Sequence, residues 1–370
     1  MSYASTLRRH LHAYRKLDYV KAHAAAEEAG AAPLLDCSFG INPFGYSSRI
    51  DPGALLQGVD LSNYPPFPYN GLKDALIRHW SGQAALTREH IRVCAGSMMI
   101  VDAINSLFLD AGDAVLGYSP QFPQYVNSLR LRGGVYDACT LSPANGYRFE
   151  AGALLDKLEQ GRHKLVYLDN PNNPTGQVLD LADVAAIVAA AHRRGTCVIV
   201  DEAYGDYMEP ANSAINLLAR WDNLFVVRSF SKGYALAALR VGYLASSPEL
   251  AGYYGLIDDL LVNPVGLGAA KVSLSDAAYL PGVRARVAGV KGGIVGALGQ
   301  LRVAATDPHV PIFVLEHPDP AVNLYDLLAS RGVLTTSGFE GLGQNAVRVR
   351  IPASATGLLR ILQQLEADLR

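Results

Sequence analysis

Residues 229–242 read SFSKGYALAALRVG. Lys232 directly follows Ser231, with Ser229 two positions before that, and Arg240 comes eight residues after the lysine. The alanine-rich run between lysine and arginine predicts a helix. In one reading Ser229 or Ser231 caps that helix and Lys232 is solvated on its first turn. A lysine fits poorly there, because the helix dipole at that end favours negative charge. In the other reading this end of the helix holds a phosphate and a reactive amine.

The flanking sequence alternates between two periods. GLKDALIRHWSG (71–82), AGSMMIVDAINSLFLDAG (95–112), FPQYVNSLRLRGG (122–134) and ADVAAIVAAAHRRG (182–195) have helical spacing. DAVLGYS (113–119), KLVYLDN (164–170), TCVIVDEAY (196–204) and NLFVVRSFS (223–231) are short apolar runs with strand character. Such alternation implies an α/β fold, a mostly parallel sheet with helices on both faces. Right-handed crossovers bring the strand C-termini to one edge, and ligands bind at that edge.

Outside this core the pattern changes. Residues 1–30 read as a separate helix closed by Gly30. Residues 33–70, with INPFGYSS and LSNYPPFPYNG, are rich in proline and read as an extended arm. After about residue 270 a long helix is followed by the strand-like VPIFVLEH, GVLTTSG and AVRVRIP and a final helix. The organisation expected is an N-terminal helix and arm over 1–45, a large domain over 46–265, and a small α+β domain over 266–370.

Composition narrows the function. The chain has 370 residues, 50% hydrophobic and 18% charged, enough for a sizeable core. Its formal net charge is −2, which suggests neither nucleic acid nor an anionic membrane as partner. Cys37, Cys94, Cys139 and Cys197 are far apart and show no zinc or disulfide spacing. The N-terminus lacks the apolar run of a signal peptide, and no stretch approaches the roughly 18 apolar residues of a membrane span. A cytoplasmic protein with buried free thiols and no metal is the expectation.

Four signals fall at the ends of the predicted strands: AGSMM at 95–99, DNPNNPTGQ at 169–177, DEAYGDY at 201–207, and the opening stretch. PNNPTG alone is good turn chemistry, and Asp201 alone could cap a helix. In this order the set resembles the fold-type I, pyridoxal-phosphate-dependent aminotransferases of class I/II, and within them histidinol-phosphate aminotransferase and threonine-phosphate decarboxylase. The resemblance runs from about Leu34 to the C-terminus. LLDCSFGINPFG is similar to the arm of the decarboxylases.

The resemblance implies pyridoxal phosphate as cofactor and gives the residues roles. Lys232 would form the internal Schiff base. A nearby arginine and a partly dry pocket would lower the pKa of its amine, and once free that amine can move a proton. Asp201 would pair with the ring nitrogen. Tyr204 and Asn173 would hydrogen-bond the phenolic oxygen, and Phe122 would stack on the ring. Ser97 and Met98 at a helix start, with Ser229, Ser231 and Arg240, would hold the phosphate. Tyr64 matches the tyrosine that reaches a neighbouring subunit's phosphate, which implies a homodimer with shared sites. Arg348 matches the arginine that grips an amino-acid carboxylate. Arg350, two residues on, would face the same side, and one of the two could be a surface charge. Phe39, Gly40 and Asn42 would border the pocket.

Three departures bear on the substrate. Met98-Met99 stands where relatives carry an acidic pair. Thr336, in GVLTTSG, stands where histidinol-phosphate enzymes place a second arginine for the substrate phosphate, so an unphosphorylated L-amino acid is expected. The N-terminal helix could cover the pocket, with Tyr19 or His23 near substrate, or pack at a dimer surface. Transamination with a 2-oxo acid is the expected reaction. Decarboxylation, elimination or oxidative deamination would use the same residues, the outcome depending on which Cα bond lies perpendicular to the ring. A non-catalytic, cofactor-sensing domain would carry a helix-turn-helix and a long linker, for which thirty residues are too few.

Overall fold

The computed structural model describes residues 7–17, 35–257 and 262–369. After β1 (Leu35–Asp36), α1 (Pro52–Gln57) and α2 (Asn70–Trp80), the chain builds its main sheet. That part comprises β2 (Ile91–Cys94), α3 (Ser97–Phe108), β3 (Ala114–Ser119), α4 (Pro123–Leu131), β4 (Val135–Thr140) and α5 (Ala151–Gln160). It continues through β5 (Leu165–Asp169), α6 (Leu181–Arg193), β6 (Cys197–Glu202), β7 (Leu224–Ser229) and β8 (Gly242–Ser246). The remainder is α7 (Pro248–Tyr254), α8 (Pro264–Ser275), α9 (Tyr279–Val295), β9 (Arg302–Val303) and β10 (Ile312–Glu316), then α10 (Leu324–Ser330), β11 (Val333–Leu334), β12 (Ala346–Arg350) and α11 (Thr356–Asp368).

The seven-stranded sheet has the order β2-β8-β7-β6-β5-β3-β4, in which only β8 runs against the rest. Its central strands are buried on both faces, so alternate side chains feed two cores. Leu165, Tyr167, Ile199, Phe225 and Val227 join one cluster, while Val166, Leu168, Val198, Val200 and Val226 join the other. Strands β2, β4 and β8 carry no strong sequence signal. β4 is a partly exposed edge strand with Asp137 and Thr140 in it, and the pattern of β8 is broken by Gly242 and Ser246.

A second, three-stranded antiparallel sheet, β12-β10-β9, has its own core of Phe313, Leu315, Val347 and Val349 against Val287 and Ile294 of α9 and Leu358 and Leu362 of α11. Asp307 N donates to Gly176 O at 2.9 Å, tying this part to the PNNPTG loop. The Lys291 amine fixes the same connection by donating to Thr306 Oγ1 and to the carbonyls of Asp307, Val310 and Ile312. The arm joins here too, since β1 pairs in parallel with β11.

Three expectations need correction. The long helix expected after residue 270 is α9, but it begins only at Tyr279, because α8 runs on to Ser275 first. Residues 7–17 contain a single 3-10 turn, Arg9–His12, rather than a continuous helix. The backbone N–H and C=O of Leu17 are satisfied by the Asn127 amide of α4 instead of by helical neighbours. Tyr19, His23 and Gly30 lie outside the described residues. Finally, 232–240 is not a helix. Ala235 and Arg240 have φ of 58° and 52°, a left-handed conformation that breaks an α-helix, and only Ala237–Leu239 forms a 3-10 turn. Among the described residues no helix is long and apolar enough to cross a membrane.

Candidate active site

The parallel strands end on one edge. β5 finishes at Asp169 and β6 carries Asp201, and the two are direct partners in the register. β7 finishes at Ser229, and Lys232 follows within three residues. A cavity of about 200 Å³ opens over these ends.

One end of the cavity suits an anion. Ser97 and Met98 start the twelve-residue α3, whose first amides have no intrahelical partner and face the cavity. Gly96 before them has φ 91°, and a Cβ there would lie 2.5 Å from Arg240 Nη2. Only glycine lets the helix start meet that guanidinium. Arg240 Nη1 donates to Ser231 Oγ at 3.3 Å, and Ser231 N donates to Ser229 Oγ at 3.1 Å. Hydroxyls, amides and one cation therefore converge, the donor set of a phosphate site.

Beside it stands the amine. Lys232 Nζ lies 5.4 Å from the centre of the Tyr204 ring. Burial lowers its pKa to about 8, helped by the charges of Arg348 and Arg240 and opposed by Asp201. Asp201 is buried and its two oxygens are held, Oδ2 by Tyr167 Oη at 3.0 Å and Oδ1 by Ala203 N at 2.9 Å. Burial raises its pKa to about 6, while the Tyr167 and Ala203 hydrogen bonds oppose the rise. Asp169, also on the wall, is pushed up to about 7 by burial against the Asn173 and Asn172 hydrogen bonds.

The PNNPTG turn is locked from within. Asn172 Oδ1 accepts from Thr175 N and Oγ1, and Asn173 N donates to Asp169 Oδ2 at 3.0 Å. Asn173 Oδ1 accepts from Arg348 Nη1 at 2.9 Å, which leaves the amide's N–H2 end for a cavity ligand. Tyr204 Oη is buried with no hydrogen-bond partner among the described residues. Gly40 of the arm packs against that hydroxyl, where a Cβ would sit 1.7 Å from Tyr204 Oη. Phe122 completes the wall ahead of α4.

Both arginines of β12 are buried, so neither is a surface charge. Arg348 lines the cavity and donates to Thr336 Oγ1 at 2.9 Å and to the Ser38 carbonyl. Arg350 is spent on the backbone: it donates to the carbonyls of Phe39, Ile351 and Asp36 and so pins the arm. Asn42 is not on the wall. Its amide donates to Gly233 O at 2.8 Å and to Tyr279 Oη, holding the backbone next to Lys232. Tyr64 is 81% exposed and does not line the cavity. Sequence reasoning missed Asp169 and Tyr167. Asp169 immediately precedes NPNNPTG, and strand alternation puts Tyr167 on its face, so both were readable.

The comparisons agree with this geometry. The aminotransferase class I and II family matches residues 46–363. The chain belongs to that family, whose members are pyridoxal-phosphate enzymes. It is similar to histidinol-phosphate aminotransferase of Halorubrum lacusprofundi, 34% identical over 257 residues, 68% of each chain. The same enzyme of Caldanaerobacter subterraneus is 30% identical over 308 residues, covering 82% of this chain and 83% of that one. Its fold matches histidinol-phosphate aminotransferase of Sinorhizobium meliloti in complex with pyridoxal-5'-phosphate, at TM-score 0.82 and 21% identity over 99% of each chain. It also matches an aspartate aminotransferase variant of Thermus thermophilus at TM-score 0.85 and 20% identity, over 98% of this chain and 99% of that one.

The depressed lysine gives a direct test. Competitive acetylation of the cofactor-free protein across pH should titrate Lys232 with a midpoint near 8, against about 10.4 for an ordinary lysine. Arg348→Met removes a neighbouring positive charge, so the midpoint should rise. A wild-type midpoint above about 10 would contradict the site's electrostatics.

Proposed function

We propose that this aminotransferase moves the amino group of an unphosphorylated L-amino acid to a 2-oxo acid, with pyridoxal phosphate held on Lys232. The observation that carries the reading is the convergence, in one cavity, of a lysine amine of lowered pKa, the buried carboxyl of Asp201 and the buried guanidinium of Arg348. The cofactor fits what is there. The orphaned Tyr204 hydroxyl and the N–H2 end of the Asn173 amide suit the cofactor's phenolic oxygen, and the Ser229–Ser231–Arg240 end suits its phosphate.

In this reading the α3 amides, Ser97, Ser229, Ser231 and Arg240 hold the phosphate, and Phe122 covers a ring face. Asp201, ionised above about pH 6, is the counter-charge for a protonated ring nitrogen. When bound, the cofactor supplies an electron sink for negative charge at the substrate Cα. Lys232, about half neutral at pH 8, takes the proton from that Cα and returns it during transfer. Arg348 grips the substrate carboxylate as a planar fork, orienting the Cα–H bond, and the dry wall excludes competing water. Residues 46–265 form the cofactor domain, 266–370 the smaller one and 1–45 the arm, in a cytoplasmic enzyme.

The substrate follows from Thr336. It is buried, accepts from Arg348 and donates to the Ser38 carbonyl, so the position offers no cation for a substrate phosphate. Borohydride treatment with pyridoxal phosphate should place the label on Lys232, and single amino acids should then convert the bound cofactor's spectrum. Unphosphorylated L-amino acids should outrun histidinol phosphate and threonine phosphate. Arg348→Lys should lower kcat/KM roughly 30- to 1000-fold, since a point charge cannot replace a fork. Label on another lysine would sink the site, and a phosphorylated amine as best substrate would sink the Thr336 argument.

The enzyme works as a homodimer in which the partner's Tyr64 completes the phosphate site. Supporting this, Leu56, Leu61, Tyr64 and Phe67 are all exposed on one short segment. Tyr64→Phe should weaken cofactor binding, and mixing it with Lys232→Ala chains should restore some activity in heterodimers. No complementation in a mixture shown to exchange subunits would rule out a shared site.

A further inference from the structure

Behind the cavity lie three buried tyrosines, Tyr118 on β3, Tyr125 on α4 and Tyr167 on β5, with the partly buried Tyr136 of β4 beside them. Their hydroxyls are not equivalent. Tyr118 Oη donates to Asp169 O and Tyr136 Oη to Tyr118 O, both backbone carbonyls. Tyr125 Oη has no hydrogen-bond partner among the described residues. Tyr167 Oη donates directly to a carboxylate, Asp201 Oδ2 at 3.0 Å, whereas Tyr118 Oη, bonded to the Asp169 carbonyl, favours the Asp169 anion only as the weakest of the influences on that carboxyl. Its ring is fixed for that purpose by Tyr125, stacked face to face with centroids 3.4 Å apart and planes 6° from parallel.

We propose that Tyr167 is a positioning residue for the aminotransferase reaction: its hydroxyl keeps Asp201 the ionised member of the adjacent Asp169–Asp201 carboxyl pair. The inference rests on the proposed role of Asp201 towards the ring nitrogen. Two carboxylates side by side in a dry cavity cannot both ionise easily, so the proton settles on the one less well held as an anion. Asp169 is held by two amide donors, Asn172 Nδ2 and Asn173 N, with a lesser contribution from the Tyr118 hydroxyl. Asp201 has a backbone amide and a direct phenolic hydrogen bond, the strongest influence favouring its anion, and the positive charge of the Lys232 amine favours that anion besides.

The groups facing Asp201 are Tyr167 and Asp169 from β5, Glu202 from its own strand, Tyr204 from the loop beyond it and Lys232 from the loop after β7. Of these, Glu202 and Asp169 favour the protonated acid, whereas Tyr167 and Lys232 favour the carboxylate. Deleting the Tyr167 hydroxyl removes a donor that stabilises the charged form, so the Asp201 pKa must rise further. A more basic Asp201 draws the proton off a paired ring nitrogen, and both macroscopic pKa values of that pair move upward.

The test compares Tyr167→Phe with Tyr125→Phe, each losing one buried hydroxyl from the same stack. The holoenzymes would be reconstituted with ¹⁵N-labelled pyridoxal phosphate and followed by NMR and by kcat/KM against pH. Wild type and Tyr125→Phe should share a protonated-pyridine resonance at pH 7.5 and one pH profile. Tyr167→Phe should move the resonance towards neutral pyridine and shift the acid limb up by about one pH unit. An unmoved resonance and profile in Tyr167→Phe, or an equal shift in Tyr125→Phe, would overturn the inference. A neutral resonance in the wild type would overturn the role of Asp201, and this inference with it.

Discussion

The site depends on a register. Parallel pairing of β5 with β6 sets Asp169 against Asp201, and pairing of β6 with β7 brings Ser229 and then Lys232 to the same edge. Burying two carboxyls there costs several kcal/mol per unpaired charge in a dry interior. The surroundings answer that cost with directed donors: Tyr167 and Ala203 on Asp201, Asn172 and Asn173 on Asp169. The same burial that raises the acids lowers the Lys232 amine. One environment thus shifts two carboxyls upward and a lysine amine downward at neighbouring positions.

A second buried ionic cluster supports the edge from beneath. Arg228, next to Ser229 on β7, donates to Glu202 Oε2 and Asp206 Oδ1, each at 2.6 Å. Glu202 in turn accepts from Ser213 Oγ and Ala214 N, and the Arg228 guanidinium lies 5.1 Å from the Trp80 ring centre. Each charge in this set has a partner, as burial requires. The cluster joins β6, β7 and the loop carrying Tyr204, so the polar wall above it rests on a stiff base.

The central strands and the helices between them were legible because burial on both faces writes long apolar runs. Residues 196–204 and 223–231, read as strands, contain β6 and β7. The motif residues were legible because strand ends and turn chemistry carry distinctive letters. What escaped depended on three-dimensional partners. The 232–240 segment looks helical by composition, yet hydrogen bonds from Leu236 N to Phe230 O and from Phe230 N to Val241 O fold it back along β7. Arg350 looked interchangeable with Arg348, because alternation places them on one side. Only the arm's carbonyls, brought in from about 310 residues earlier in the chain, distinguish them. Asn42 was drawn to the backbone beside Lys232 by the same arm.

The central claim is that Asp201, held ionised in this cavity, makes proton removal from the substrate Cα feasible at the Lys232 amine. Exchange of the Cα proton in D₂O, followed by NMR for wild type and Asp201→Asn loaded with pyridoxal phosphate, addresses it most directly. The account predicts that the variant still takes the borohydride label on Lys232 while exchange slows by about 100-fold or more, roughly 3 kcal/mol of lost stabilisation. Exchange in the variant within a few-fold of wild type would contradict it.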